Sequence, residues 1–260
     1  MKNIHIAVIG GPATGKSTYI SALVQGLKDK LWNETDLAYL PAAPNLWSLY
    51  RKGELYFSED PTGAMFFKDC HSRTVKMPLC IVEKQTPKII SLEFSDIIAE
   101  DLEDSSSFEC LIEDLHWNEK NKPNAIILLV DPIPVLGHDV LKGEYGVCLC
   151  TASETVKILN NFIYAVQKKY KNIKNIPIAV VVNKMDLLTR VFSDKDAKEF
   201  DGEKFLEHCG IQNIICQNFL KHELFYSSSV TIEGSNTIKY NPSIQLSPFI
   251  WILKNIENIK

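Results

Sequence analysis

An α/β fold with a doubly wound, mostly parallel sheet is the architecture that this sequence predicts. Strand patterns alternate with helical patterns along the chain, as in sheets that carry helices on both faces. The segments 125–130 (AIILLV) and 176–182 (IPIAVVV) are apolar throughout, which is typical of parallel strands buried on both faces. A hairpin of 75–84 and 88–94 adds one antiparallel strand. Pro78 places that strand at the edge of the sheet, because proline donates no ladder hydrogen bond.

The other elements follow in an order that a single domain can accommodate. A strand at 4–9 leads into a helix whose apolar residues recur from 20 to 31 at helical spacing. The prolines and glycines of 38–74 predict a long loop. Thr151 and Glu154 form a capping box, which predicts a helix starting there.

Helical patterns near 203–220, a short strand at 223–227 and a helix after Pro248 complete the chain. The sequence contains no linker of the kind that separates domains. We therefore expect one domain over 1–260, with an enlarged region at 31–74 and an insertion at 131–150 that is longer than a usual βα loop.

The composition argues against several classes of protein. The 260 residues carry a formal net charge of −4, whereas a nucleic-acid-binding domain normally presents a basic face. The longest apolar run, AIILLV, is far too short to span a membrane. Seven cysteines without a disulfide framework or zinc spacing indicate reduced thiols. We therefore expect a cytoplasmic protein with no membrane span and no nucleic-acid partner.

The stretch GGPATGKST is a phosphate-loop pattern. It lies between the first strand and the first helix, which is the structural context that such a loop requires. Backbone N–H groups of such a loop form a concave anion site, and the helix dipole adds positive potential. The lysine can reach the terminal phosphates and the serine hydroxyl can ligate Mg²⁺. The residues expected to bind the nucleotide here are Gly10, Gly11, Pro12, Ala13, Thr14, Gly15, Lys16, Ser17 and Thr18.

The stretch VVNKMD at 181–186 indicates that the base is guanine. It ends a parallel strand, and ligands bind at the carboxyl edge of such sheets. A carboxylate at Asp186 can accept both N1–H and N2–H of guanine, a pair of contacts that adenine cannot make. Lys184 can lay its aliphatic stem across the base, and Asn183 can tie this segment to the phosphate loop.

These motifs and their order resemble those of Ras-like GTPases of the TRAFAC class of P-loop GTPases, over nearly the whole chain. The resemblance implies a P-loop GTPase architecture, with Mg²⁺ as cofactor and GTP or GDP as ligand. It implies that Asp96, in LEFSDIIAE, holds Mg²⁺ through a water. It also matches the family's guanine-facing serine motif to Ser228 and Ser229.

The second switch region departs from the family pattern. Ala99 stands where relatives have the glycine that contacts the γ-phosphate, and Glu100 stands where many have a water-positioning glutamine. With Lys16 they are the candidate catalytic residues, and the departures predict slow hydrolysis. The metal-binding threonine of the first switch is assigned to Thr62, with Thr74 as the alternative.

The segment 93–119 contains no lysine or arginine, so the second switch region is acidic and is the expected docking surface for a protein effector or regulator. The predicted function is a Mg²⁺-dependent, slowly hydrolysing GTPase switch. A non-hydrolysing GTP-bound scaffold is the first alternative, favoured by Ala99 and Glu100. A P-loop phosphotransferase is the second, and it would make the Asn-Lys-x-Asp motif a coincidence.

Overall fold

A seven-stranded sheet runs through the part of the chain that the computed structural model describes: residues 2–12, 14–16, 19–20, 23, 37–40, 75–83, 89–97, 122–135, 151–170, 172–188, 199–228, 230–233, 237–240 and 242–256. Its strands are β1 (Lys2–Gly10), β2 (Leu37–Leu40), β3 (Val75–Glu83), β4 (Ile89–Asp96), β5 (Ala125–Val130), β6 (Ile178–Val182) and β7 (His222–Tyr226). A separate hairpin pairs β8 (Val230–Glu233) with β9 (Thr237–Tyr240).

Five helices accompany the sheet in the described residues: α1 (Pro132–Val135), α2 (Ala152–Lys169), α3 (Gly202–His208), α4 (Ile211–Asn218) and α5 (Pro242–Asn255). Residues 16, 19, 20 and 23 are also helical and belong to the segment that follows β1. In the same described part of the chain, no helix has both the length and the apolar character that crossing a bilayer requires.

The strand order is β2-β3-β4-β1-β5-β6-β7, and β4, β1, β5, β6 and β7 run parallel to one another. The chain adds β4 on one side of β1 and β5 on the other. The loops that follow the strands on the two sides of β1 therefore turn away from each other, and a crevice forms beyond the carboxyl end of β1. This topology confirms the predicted doubly wound α/β fold class.

The antiparallel strand is β3, and its predicted position at the edge was wrong. The short strand β2 lies outside it and pairs with Cys80–Glu83, so residues 38–40 form a strand where a loop was expected. Pro78 is opposite Glu93 of β4 but lies beyond the last residue that β2 reaches. The missing N–H of this proline therefore costs no hydrogen bond to the described residues of β2.

The core has two layers, one on each face of the sheet. The side chains of β1 alternate between them: Ile6 and Val8 belong to one layer, and Ala7 and Ile9 to the other. Helices α2, α3 and α4 cover the layer that contains Ala7. The helical residues after β1 and helix α5 cover the layer that contains Val8. The central strands are thus buried on both faces, as their continuous apolar runs predict.

Helix α5 begins earlier than the sequence predicts. It starts at Pro242, so Pro248 lies inside the helix instead of preceding it. An interior proline costs roughly 3 kcal/mol because it removes a hydrogen bond and crowds the preceding turn. Leu246, Phe249 and Ile252 are buried against the sheet, and each contributes about 1.5–3 kcal/mol. Packing of this face therefore outweighs the local preference against Pro248.

The predicted capping box of α2 is present. The Thr151 hydroxyl accepts a hydrogen bond from the Glu154 backbone N–H at 3.3 Å, and the Glu154 carboxylate accepts one from the Thr151 N–H at 2.6 Å. Hydrogen bonds from the Thr151 backbone and side chain lower the pKa of Glu154. The glutamate's contribution is therefore complete above its unfolded-state pKa, and it is lost as the pH falls through the lowered folded-state value.

Removing this cap should destabilise the domain measurably. We expect Thr151→Ala to lower the free energy of unfolding by about 1 kcal/mol at neutral pH, because the Glu154 N–H loses its acceptor. Thr151→Ser, which keeps the hydroxyl, is the control and should unfold like the parent in urea titrations. Equal losses in the two variants would show that the hydroxyl is not what stabilises this helix end.

Candidate functional site

Two glycines shape the turn that follows β1. Gly10 and Gly15 have φ values of 157° and 86°, in the region that side chains disfavour. A Cβ at Gly10 would lie 2.6 Å from the Leu129 carbonyl oxygen, and one at Gly15 would lie 2.8 Å from the Asn183 amide nitrogen. Neither position can therefore accept a side chain without moving its neighbours, and the turn packs closely against the ends of two neighbouring strands.

Hydrogen bonds within the turn hold it in shape. The Thr14 hydroxyl donates to the Gly11 carbonyl at 2.9 Å. The Lys16 ammonium donates to the carbonyls of Gly10 and Gly11, both at 3.0 Å. The Tyr19 N–H donates to the Gly15 carbonyl at 2.7 Å, so a helix starts directly after the turn. A cationic side chain and the positive end of a helix thus meet at one place, which favours an anion there.

Asn183 joins this turn to the segment after β6. Its side-chain amide donates to the Thr14 carbonyl at 2.9 Å, and its backbone N–H donates to the Val130 carbonyl at 2.9 Å. The residue is 1% exposed. The structure therefore contains the link between the two loops that the sequence predicts.

Lys184, the next residue, is in the left-handed conformation (φ 58°, ψ 35°) and is the one non-glycine residue of the described ranges with a positive φ. Its ammonium lies 2.6 Å from an Asp131 carboxylate oxygen. Asp131 is 3% exposed, and its other carboxylate oxygen accepts the Ile133 N–H at 3.1 Å. Sequence reasoning missed Asp131; the available signal was a carboxylate placed directly after a fully apolar parallel strand.

Asp186 belongs to a short 3₁₀ turn, Met185–Leu187, that the end of β7 supports. The Asp186 N–H donates to the Ser228 hydroxyl at 3.0 Å, and the Met185 N–H donates to the Ser227 carbonyl at 3.1 Å. Both serines are buried. The structure thus brings Asn183, Lys184, Asp186 and Ser228 to the same edge of the sheet as the glycine turn, with Ser227 as an additional support.

Asp96 is the last residue of β4 and lies opposite Val8 of β1 in the strand register. Its backbone is therefore at the same carboxyl edge, two positions short of the level of Gly10. The predicted site residues that lie outside the described residues are Ala13, Ser17, Thr18, Thr62, Thr74, Ala99, Glu100 and Ser229. Most of 31–74, most of 131–150 and most of the acidic segment lie outside them too.

The described ranges contain no group of three His, Cys, Asp or Glu residues placed to hold a metal ion. What the described residues do offer is an anion site formed by the glycine turn and Lys16. Beside it is a polar loop with Lys184 and Asp186, held by buried hydrogen bonds. An elongated ligand with anionic groups at one end and a polar ring at the other suits this arrangement.

No protein-family model matches the sequence, and no curated protein resembles it significantly. Among solved structures, the Saccharomyces cerevisiae Ski7 GTPase-like domain bound to GDP and inorganic phosphate matches with a TM-score of 0.51 and 14% identity. The GTP-bound form of the same domain matches with a TM-score of 0.50. The match covers all of this chain and 51% of the Ski7 chain, so this chain spans about half the length of that relative.

The Arl6 BBS3 small GTPase from Trypanosoma brucei, with bound GppNp, matches over the full length of both chains with 10% identity and a TM-score of 0.48. At these identities the comparison with the Ski7 domain concerns the fold, and the topology described above agrees with it. The chain therefore has the fold of a Ras-like P-loop GTPase domain.

Proposed function

We propose that this protein binds guanine nucleotides with Mg²⁺ and acts as a slowly hydrolysing GTPase switch in the cytoplasm. The observation that carries the proposal is the buried hydrogen bond from Asn183 to the Thr14 carbonyl. It places a phosphate-loop sequence and an Asn-Lys-x-Asp sequence side by side at one sheet edge, as a single nucleotide with phosphates and a base requires.

The phosphates are assigned to the glycine turn. Gly10 and Gly15 let the turn pass close to Leu129 and Asn183, and Lys16 is held over the turn by the carbonyls of Gly10 and Gly11. The charge of Lys16 is therefore already in place before phosphates arrive, which reduces the cost of reorganising the site. The other residues of the turn surround the phosphates through their backbone N–H groups.

The base is assigned to the loop that contains Lys184 and Asp186. The Asp186 N–H is held by Ser228, which fixes the backbone from which its carboxylate extends. Guanine offers two adjacent N–H donors to such a carboxylate, and adenine offers none in that arrangement. Selectivity of this kind can be large, because the wrong base leaves buried polar groups unpaired.

Mg²⁺ is the cofactor that the fold implies, and the chemistry of the predicted donor set fits it. Hydroxyl and carboxylate oxygens are the ligands that this ion prefers, and Ser17, Thr62 and Asp96 would supply them. Asp96 ends β4 at the edge where the glycine turn lies. A bound ion would neutralise charge on the β- and γ-phosphates. Thr74 remains the alternative to Thr62.

Slow hydrolysis is proposed from Ala99 and Glu100. An alanine restricts the backbone that would bring an N–H to the γ-phosphate, and a glutamate adds negative charge beside it. The same two residues favour the second candidate function, a GTP-bound scaffold that does not hydrolyse its ligand. In either case the acidic segment at 93–119 is the proposed surface for a basic protein partner.

The assignment of the base can be tested by changing the carboxylate. Asp186→Asn should weaken GTP binding by about 10- to 100-fold and shift the preference towards xanthosine triphosphate, whose extra carbonyl can accept from an amide. Isothermal titration calorimetry with both nucleotides measures this. Glu207→Gln, which removes a charge on the exposed face of α3, is the control. Unchanged GTP affinity in Asp186→Asn would contradict the assignment of guanine.

The assignment of the phosphates can be tested by changing the turn. Lys16→Ala should abolish measurable GTP binding, because it removes the ammonium that the carbonyls of Gly10 and Gly11 hold over the glycine turn. Ser17→Asn should weaken Mg²⁺-GTP more than Mg²⁺-GDP. Lys157→Ala, on the exposed face of α2, should bind like the parent. Parent-like calorimetry of Lys16→Ala would exclude the phosphate-loop role.

The switch chemistry can be tested by restoring the family pattern. We expect a very slow single-turnover rate in the parent and a higher rate in the double variant Ala99→Gly, Glu100→Gln, because backbone freedom returns and a charge is removed. Nucleotide affinity, measured separately, should change little. A fast parent rate that falls in the double variant would identify Glu100 as a working water-positioning residue.

A further inference from the structure

We propose that Asp131 is a positioning residue for the guanine loop: it holds the Lys184 ammonium and so fixes the lysine stem against the place of the base. This inference rests on the proposed function, because it assigns a role at the same site. Asp131 lies directly after β5, on a different element from the loop that it would control.

The contacts of Asp131 engage both carboxylate oxygens. Oδ2 lies 2.6 Å from the Lys184 Nζ, and Oδ1 accepts the Ile133 N–H at 3.1 Å. The Asp131 side chain is 3% exposed and that of Lys184 is 22% exposed. A carboxylate this deeply buried is tolerated only when it is paired and hydrogen-bonded. The ammonium is therefore paired with a carboxylate whose other oxygen is itself hydrogen-bonded.

The backbone conformation of Lys184 supports this role of Asp131. Lys184 has a left-handed conformation that a non-glycine residue adopts at an energetic cost, so its surroundings must enforce it. Two identified contacts do so from the end of β5. The Val130 carbonyl accepts the N–H of Asn183, and Asp131 binds the side chain of Lys184. Asn183 and Lys184 are thus bonded to the last residue of β5 and to the residue that follows it.

A lysine held at its ammonium presents an ordered aliphatic stem. The four methylene groups of Lys184 then form an apolar surface on which a planar base can pack, while the charge remains satisfied. Without Asp131 the long side chain would have to be ordered when the nucleotide binds, and that entropy would be subtracted from the affinity. Asp131 would therefore act on binding of the base and not on binding of the phosphates.

Two substitutions separate this role from simple packing. Asp131→Asn leaves one carbonyl oxygen to serve both the Ile133 N–H and the Lys184 ammonium, and it removes the charge. Asp131→Glu keeps the charge but displaces it by one methylene group. Both should bind GDP roughly tenfold more weakly than the parent. Both should bind inorganic tripolyphosphate, the probe for the glycine turn alone, as the parent does.

A double-mutant cycle tests whether the effect passes through Lys184. In a Lys184→Ala background, Asp131→Asn should cause no further loss of GDP affinity. It should also raise the melting temperature of the nucleotide-free protein relative to Lys184→Ala alone, because it neutralises a buried carboxylate left without its partner. Ile158→Ala, in the core beneath α2, is the control for instability: it should melt lower without a change in GDP affinity.

Different failures have different meanings. If the parent binds GDP and Asp131→Asn binds it equally well, the inference is wrong and the proposed function stands. Equal losses of GDP and tripolyphosphate would also overturn it, since a general structural role would then suffice. If the parent binds tripolyphosphate but not guanine nucleotides, the proposed function fails and this inference fails with it.

Discussion

The hydrogen bond between the Asn183 amide and the Thr14 carbonyl is the contact on which the site depends. It joins residues separated by 169 positions in the sequence, and both are buried. The two residues are closely packed, because a Cβ on Gly15 would lie 2.8 Å from the same amide nitrogen. A side chain at position 15 would therefore have to displace Asn183. The shape of the first loop is set in part by the strand that carries the second.

This contact is possible because the sheet brings four strand ends to one edge. Strands β1, β5, β6 and β7 are neighbours and run parallel, so the residues that follow them emerge together. Below that edge the strands are apolar and buried on both faces. Above it, Asn183, Asp131, Ser227 and Ser228 are buried polar residues, each with a hydrogen-bond partner in the structure. The polar layer sits on a rigid apolar base, which suits a preorganised site.

The sequence predicts well those features that local chemistry determines. The capping box of α2 needs only Thr151 and Glu154, and the glycines of the turn can be recognised from their spacing; both are present as expected. It predicts poorly the features that depend on distant packing. Pro248 reads locally as a helix start, yet the burial of Phe249 and its neighbours extends α5 through it. Strand β2 was missed because four residues carry little periodic signal, and its pairing with β3 is a property of the sheet.

The contact between Asp131 and Lys184 could not be predicted from the sequence pattern. In the sequence it is one acidic residue after an apolar strand, and its partner Lys184 lies 53 positions away. The pairing follows only once β5 and β6 are adjacent and in register, with Val130 opposite Val182. In that register β5 and β6 end at the same level of the sheet, so the residues that follow Val130 and Val182 lie close to one another. The Asn-Lys-x-Asp motif therefore identifies Lys184, while the carboxylate that pairs with it comes from the end of the neighbouring strand. That pairing follows from strand register, which the motif itself does not contain.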